Sequence, residues 1–203
     1  WSSDVCSSDL FSDPDSWKAL LAVPRGLDLA GQVGVEEGRL WLGTPGPRMS
    51  FEAGLQGLEA VRQLALEVTL DPGKGVATIL LGIEPDGTRF RLDFREGPAF
   101  SVGLVGPQGS RFLLEPRQHR ALKSFPARIG LLLTEDRLWF WSRGALLAFF
   151  KRDTASSRVG LQVSSGAESG ERVFFDDLAL SALVETSRIA GFVQEAPQGP
   201  PLA

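Results

Sequence analysis

The feature that most constrains this chain is the alternation of apolar and polar residues in short runs. In Thr88–Arg95, Phe90, Leu92 and Phe94 alternate with Arg89, Arg91, Asp93 and Arg95. In Gln63–Leu70, Leu64, Leu66, Val68 and Leu70 alternate with Gln63, Ala65, Glu67 and Thr69. A period of two puts every apolar side chain on one face of an extended strand, whereas a helix would scatter them around its circumference. Further strands are predicted at Arg39–Gly43, Val76–Glu84, Phe100–Val105, Arg111–Glu115, Ala127–Leu133, Arg137–Ser142, Ala145–Lys151, Arg158–Ser164 and Arg172–Ser181. Only Gly54–Gln63 and the stretch Ser181–Val193 read as short helices.

The breaks between these runs carry turn chemistry. Glu37-Gly38, Asp71-Pro72-Gly73, Pro85-Asp86-Gly87, Pro107-Gln108-Gly109 and Arg143-Gly144 supply residues that tolerate positive φ or pre-set a turn. Pro85-Asp86-Gly87, between two alternating runs, is the clearest hairpin signal. Many short strands at close spacing predict an all-β fold, a sandwich of two antiparallel sheets.

Composition narrows the function classes. At 43% hydrophobic and 23% charged, the 203 residues are neither a disordered chain nor a coiled coil. A net charge of -4 with no basic run argues against nucleic acid as a partner. One cysteine and one histidine exclude an internal disulfide framework, a Cys-cluster zinc site and a pair of catalytic histidines. No apolar stretch reaches the roughly 20 residues of a membrane-spanning helix.

Both ends differ from the middle. Trp1–Leu10 has neither apolar periodicity nor turn logic, and it resembles translated sequencing-adapter read-through. It is read as non-native, so Cys6 is set aside with it and no leader segment is expected to be visible. The domain is expected to run over residues 11–183. Residues 184–203 end in a Pro-rich polar stretch that reads as a linker or disordered tail, with another module expected to follow in a larger protein.

The final third carries a resemblance. Asp136-Arg-Leu-Trp-Phe-Trp-Ser-Arg-Gly-Ala-Leu-Leu-Ala148 resembles the hairpin written RLxLYVNGxLV in concanavalin A-like lectin/glucanase (laminin G-like) jelly rolls. Ser157-Arg-Val-Gly-Leu-Gln-Val163 is similar to the GRVGLxV strand of that superfamily, and Arg172–Leu180 to its closing VxFDDFxV strand. Phe11–Trp17 is similar to its DDFSDxxxxW opening, and Val35–Leu42 to the xxDGxLxL that follows. The five segments occur in the expected order across residues 11–180. The resemblance implies a jelly-roll β-sandwich with one curved sheet whose concave face is open. Its members include glycoside hydrolases, a domain family that hydrolyses 3-keto-disaccharides, and non-catalytic binding modules of secreted bacterial proteins. Fold alone does not choose among these.

Candidate sites follow from side-chain chemistry. Trp139 and Trp141, two apart on one strand, share a face. They form either a stacking platform for sugar rings or a face packed under a loop or partner. Arg89, Arg91 and Arg95 share a face with Asp93, either as a binder of anionic glycans or as a solvated, charge-interleaved row. Asp176 and Asp177 break the parity of the last strand, which predicts a bulge. In the resembling family these acids lie near the first strand, where Asp13 and Asp15 would join them around a structural Ca²⁺. The simpler role is accepting hydrogen bonds from turn N–H groups.

The catalytic signals are negative. Jelly-roll glycosidases deliver their acids from one strand as Glu-x-Asp-x-x-Glu, and that spacing is absent. Glu67 and Asp71 read as solvated strand and turn acids, and His119 as an exposed loop residue with no nucleophile beside it. No Gly-x-Ser-x-Gly elbow is present. The sequence therefore predicts a non-catalytic binding module, extracellular or in the cell envelope of a bacterium, rather than an enzyme. It would take a glycan or a protein surface on its concave face through Trp139, Trp141, Arg89 and Arg91. The alternatives are a glycoside or 3-keto-disaccharide hydrolase and a structural spacer. No catalytic residue, metal ligand or cofactor is assigned.

Overall fold

A computed structural model describes residues 17–23, 29, 31–55, 63–81, 87–134, 136–151, 159–165 and 171–182. The adapter-like opening, Cys6, Asp13, Asp15, the Pro-rich tail and most of the two predicted helices lie outside these residues. The first described element is one helical turn, Trp17–Leu20, which anchors Trp17 in the core.

Fourteen strands follow in chain order: β1 (Leu21–Ala22), β2 (Val33–Glu36), β3 (Arg39–Gly43), β4 (Ser50–Leu55), β5 (Leu64–Asp71), β6 (Val76–Leu81) and β7 (Arg89–Arg95). The second half comprises β8 (Ala99–Gly106), β9 (Gly109–Gln118), β10 (Ala127–Leu133), β11 (Arg137–Ser142), β12 (Ala145–Lys151), β13 (Val159–Ser164) and β14 (Arg172–Ala182). They form two seven-stranded sheets, here the front sheet, β1-β4-β13-β6-β7-β8-β9, and the back sheet, β12-β11-β10-β5-β14-β3-β2. Every pairing is antiparallel. The predicted all-β sandwich is the observed architecture.

The alternation dictates which face packs. In β5, Leu64, Leu66, Val68 and Leu70 are fully buried, and in β7 Phe90, Leu92 and Phe94 point into the same core. The sheets meet through aromatic edges: Phe100 of the front sheet stands at 82° to Phe140 of the back sheet, with ring centroids 5.7 Å apart. Phe90 and Phe150 make a second contact between sheets at 6.4 Å. Aromatic pairs in such tilted geometry add about 0.5–1.5 kcal/mol beyond their burial.

Turn chemistry holds at the described turns, while Pro85 and Asp86 of the predicted hairpin lie outside the described residues. Arg143 (φ 51°) and Gly144 (φ 75°) join β11 to β12 in a two-residue loop, with Ser142 opposite Ala145. Positive φ at both central positions defines a type I′ turn, whose twist matches that of the strands. Glu37 (φ 52°) and Gly38 (φ 74°) do the same between β2 and β3. The predicted bulge in β14 is present: register shifts between Asp176 and Ala179, and Asp177 has φ 47°.

β4 was read in part as helix. Phe51, Ala53 and Leu55 in fact alternate inward. Gly54, outward on the same strand, removed the polar signal that would have marked the period.

Candidate functional site

The outward residues of the front sheet form two rows that cross it from edge to edge. One row reads Glu52 (β4), Gln162 (β13), Thr78 (β6), Asp93 (β7) and Ser101 (β8). The next reads Gly54, Gly160, Leu80, Arg91, Gly103 and Phe112, the last on β9. Although they point away from the core, Thr78, Leu80, Asp93 and Ser101 are at most 3% exposed. They make a buried floor to this outward face of the front sheet, here called the trough.

Two acid–arginine pairs line it, one standing over the sheet and one in its floor. Glu52 leans over Gly160, its Oε1 3.1 Å from where a Cβ on that glycine would stand. There it accepts a hydrogen bond from Nη1 of Arg89. The pair bridges from β4 to β7 across two intervening strands, a backbone span of about 14 Å. Asp93 is the second acid: its Oδ1 accepts hydrogen bonds from Thr78 Oγ1 at 2.7 Å and Arg91 Nε at 2.7 Å. The two bonds fix the carboxylate in one orientation, because donors converge on a single oxygen from β6 and from β7 itself. Nearby, the Ser101 hydroxyl is buried with no hydrogen-bond partner among the described residues. With Arg89 matched by Glu52 and Arg91 by Asp93, this part of the guanidinium row is the charge-interleaved arrangement rather than a bare anion-binding face.

The tryptophans are elsewhere. Trp139 and Trp141 project from β11 on the outer face of the back sheet, because Leu138 and Phe140 between them point into the core. The expected grouping of Trp139 and Trp141 with Arg89 and Arg91 on one concave face is corrected: a whole sandwich separates the two pairs. The cause is topological, since β7 and β11 belong to different sheets. The two indoles turn toward different neighbours. Trp139 stacks on Phe149 of β12 at 5.1 Å and 23°, with the Arg137 guanidinium 5.7 Å from its ring. Trp141 leans the other way, over Gly130 of β10, filling the space a Cβ would take there.

Other predicted residues fall into structural roles. Glu67 pairs with Arg128, and Asp71 Oδ1 accepts from the Gly73 N–H at 3.1 Å. Asp177 Oδ2 accepts from Thr69 Oγ1 at 3.0 Å, and Asp176 Oδ1 from the Asp177 N–H at 2.8 Å. Among the described residues no group of three potential metal ligands occurs. His119 is half-buried rather than exposed: Nδ1 accepts from the Ala121 N–H at 3.2 Å, and the ring meets Phe100 edge-on at 6.3 Å. No described helix is long and apolar enough to cross a membrane.

No protein-family model and no curated protein matches the sequence. Solved structures do match, and they define the fold as the concanavalin A-like jelly roll. The chain is similar to an endo-β-1,3-glucanase from Pyrococcus furiosus, at 12% identity and TM-score 0.65 over 87% of this chain and 93% of that one. It is similar to an endo-acting O-glycanase of the human gut microbiota, at 15% identity and TM-score 0.60 over 89% and 96%. A legume lectin-like domain from Entamoeba histolytica matches at 11% identity and TM-score 0.57 over 85% and 94%. Glucanases and the O-glycanase predominate over lectin-like domains among such structures. The expectation of a non-catalytic binding module is corrected accordingly, in favour of the hydrolase alternative.

Proposed function

We propose that this chain is a carbohydrate hydrolase whose substrate lies in the trough of the front sheet, with Asp93 and Glu52 as its acids. The observation that carries the reading is the state of Asp93. It is a floor carboxylate, 3% exposed, with one oxygen held by Thr78 and Arg91 and the other without a partner among the described residues. A fixed acid with a spare oxygen is suited to giving or taking a proton at a glycosidic oxygen. Glu52, held over Gly160 by Arg89, stands over the same sheet. Glycoside hydrolysis needs two carboxylates flanking the scissile bond. Here they would come from β4 and β7, not from the single-strand Glu-x-Asp-x-x-Glu pattern: set on Asp93, that spacing meets Glu96 in its last place but Arg91 in its first.

A second substrate class fits the same floor. In a 3-keto-glycoside the ketone acidifies the neighbouring C2–H, so one carboxylate suffices: it takes that proton as the C1–O bond breaks and a C1–C2 double bond forms, then gives the proton to the departing alkoxide, and water adding across the double bond completes the hydrolysis. Asp93 alone would serve. Polymeric glycans do not enter cells intact, so glycan hydrolysis is read as belonging to a secreted or envelope protein of a bacterium, with this domain as one module.

The test is turnover of laminarin, mixed-linkage glucan and a 3-keto-disaccharide by the wild type, Asp93→Asn and Glu52→Gln. Loss of glycan hydrolysis in both variants supports two-acid hydrolysis. Loss in Asp93→Asn alone, with the keto substrate, supports the elimination route. No turnover of any substrate, or full turnover by Asp93→Asn, would overturn the proposal.

A further inference from the structure

Four large apolar side chains stand about half exposed among the described residues. Two of them, Leu146 and Phe149, belong to β12 at the edge of the back sheet. They begin two outward rows. Phe149, Trp139, Leu132 and Ala65 follow one another across β12, β11, β10 and β5, and this row ends at Ser181 of β14. Leu146 and Trp141 begin the next. Trp139, Trp141, Leu132 and Ala65 are only half-buried, so the β12 half of this face is an apolar patch. Soluble proteins seldom leave such contiguous surface uncovered.

The chain itself supplies a cover. Ala182, the last residue of β14, pairs with Leu64, at the end of the sheet where Arg137 of β11 faces Lys151 of β12. The sequence continues with residues 183–203. From β14 to β12 is four strand spacings, about 19 Å. The seven residues from 183 to 189 span up to about 23 Å when extended, so Ile189 can reach Trp139 and Phe149. Ile189, Phe192 and Val193 recur at i, i+3 and i+4, the spacing of one apolar helix face. Charge agrees. Arg137 pairs with Asp136, while Lys151 has no acid among the described residues. Glu185 and Glu195 bracket the apolar trio. A second copy docking by the same face would bring the same basic rim, whereas this segment brings acids to it.

We infer that residues 183–195 fold back over the back sheet and seat Ile189, Phe192 and Val193 on Trp139, Phe149 and Leu146. Glu195 then lies toward Lys151. This face is a whole sandwich away from the trough, so the docking stands independently of the hydrolase reading.

The experiment is hydroxyl-radical footprinting of the full chain, read by mass spectrometry at Phe149 and Leu146, with half-exposed Phe112 as internal reference. Wild type is compared with the double variant Ile189→Ser, Phe192→Ser, and light scattering gives the mass of each. Both substitutions lie beyond β14, and buried Phe140 staying unoxidised checks the fold. Phe192→Ser alone serves where the double variant does not fold. Monomeric wild type is expected to show about fivefold less oxidation at both positions than the variant, as a segment docked in most molecules gives. Equal oxidation in the two proteins overturns the docking. So does protection in a dimeric wild type, which would assign the face to a second copy.

Discussion

The indole of Trp141 occupies the space that a side chain on Gly130 would need. Any Cβ there must push the ring off the back sheet, because Leu131 and Ile129 on either side are locked in the core. Gly130→Ala is expected to destabilise the domain by about 1–3 kcal/mol, the usual cost of overpacking. Urea unfolding followed by tryptophan fluorescence checks this. The displaced indole should also emit at longer wavelength in the folded state, and an unchanged midpoint would disprove the contact.

Arg143 sits at φ 51° in the β11–β12 turn, a conformation that costs most L-residues about 1–2 kcal/mol. Asparagine tolerates it better, through local hydrogen bonding to its own backbone. Arg143→Asn should therefore raise stability by about 0.5–1 kcal/mol. In a domain of this size the thermal midpoint would rise by about 1–4 °C. A fall in midpoint would show that the arginine makes a compensating contact.

Phe140 is fully buried, in edge contact with Phe100 and stacked at 6.3 Å on Phe150. Truncating it opens a cavity between the sheets. Phe140→Ala is expected to cost about 3–5 kcal/mol, measured by chemical denaturation. Because Phe100 carries Ser101 on its outward side, turnover in this variant should fall with the folded fraction and not ahead of it.

The strands were legible because side-chain parity is local: Phe90, Leu92 and Phe94 announce their face without reference to the rest of the fold. Sheet membership is not local. Parity tells that Trp139 and Arg89 both point away from the core, yet not that they do so on opposite sides of the molecule. That distinction depends on which strands pair, and the pairing of β7 with β6 and β8, or of β11 with β10 and β12, is decided by packing across the whole domain.

The site was half visible for the same reason. Arg91 and Asp93 are two residues apart, and their pairing can be read from one strand. Glu52 and Arg89 are 37 positions apart, and no pattern in the chain links them. On the β9 side the bulges shift register twice against β8 and erase the period, so the pairing across that edge cannot be read from the chain.

That irregular β9 edge has a consequence for how molecules of this protein meet one another. Its register breaks, the proline at 116 and the charged Arg111, Glu115 and Arg117 leave no straight run of free N–H and C=O groups. An incoming strand would find no template there, which is how natural sheets resist edge-to-edge growth. The irregular edge thus discourages a further strand from extending the front sheet beyond its seven on that side.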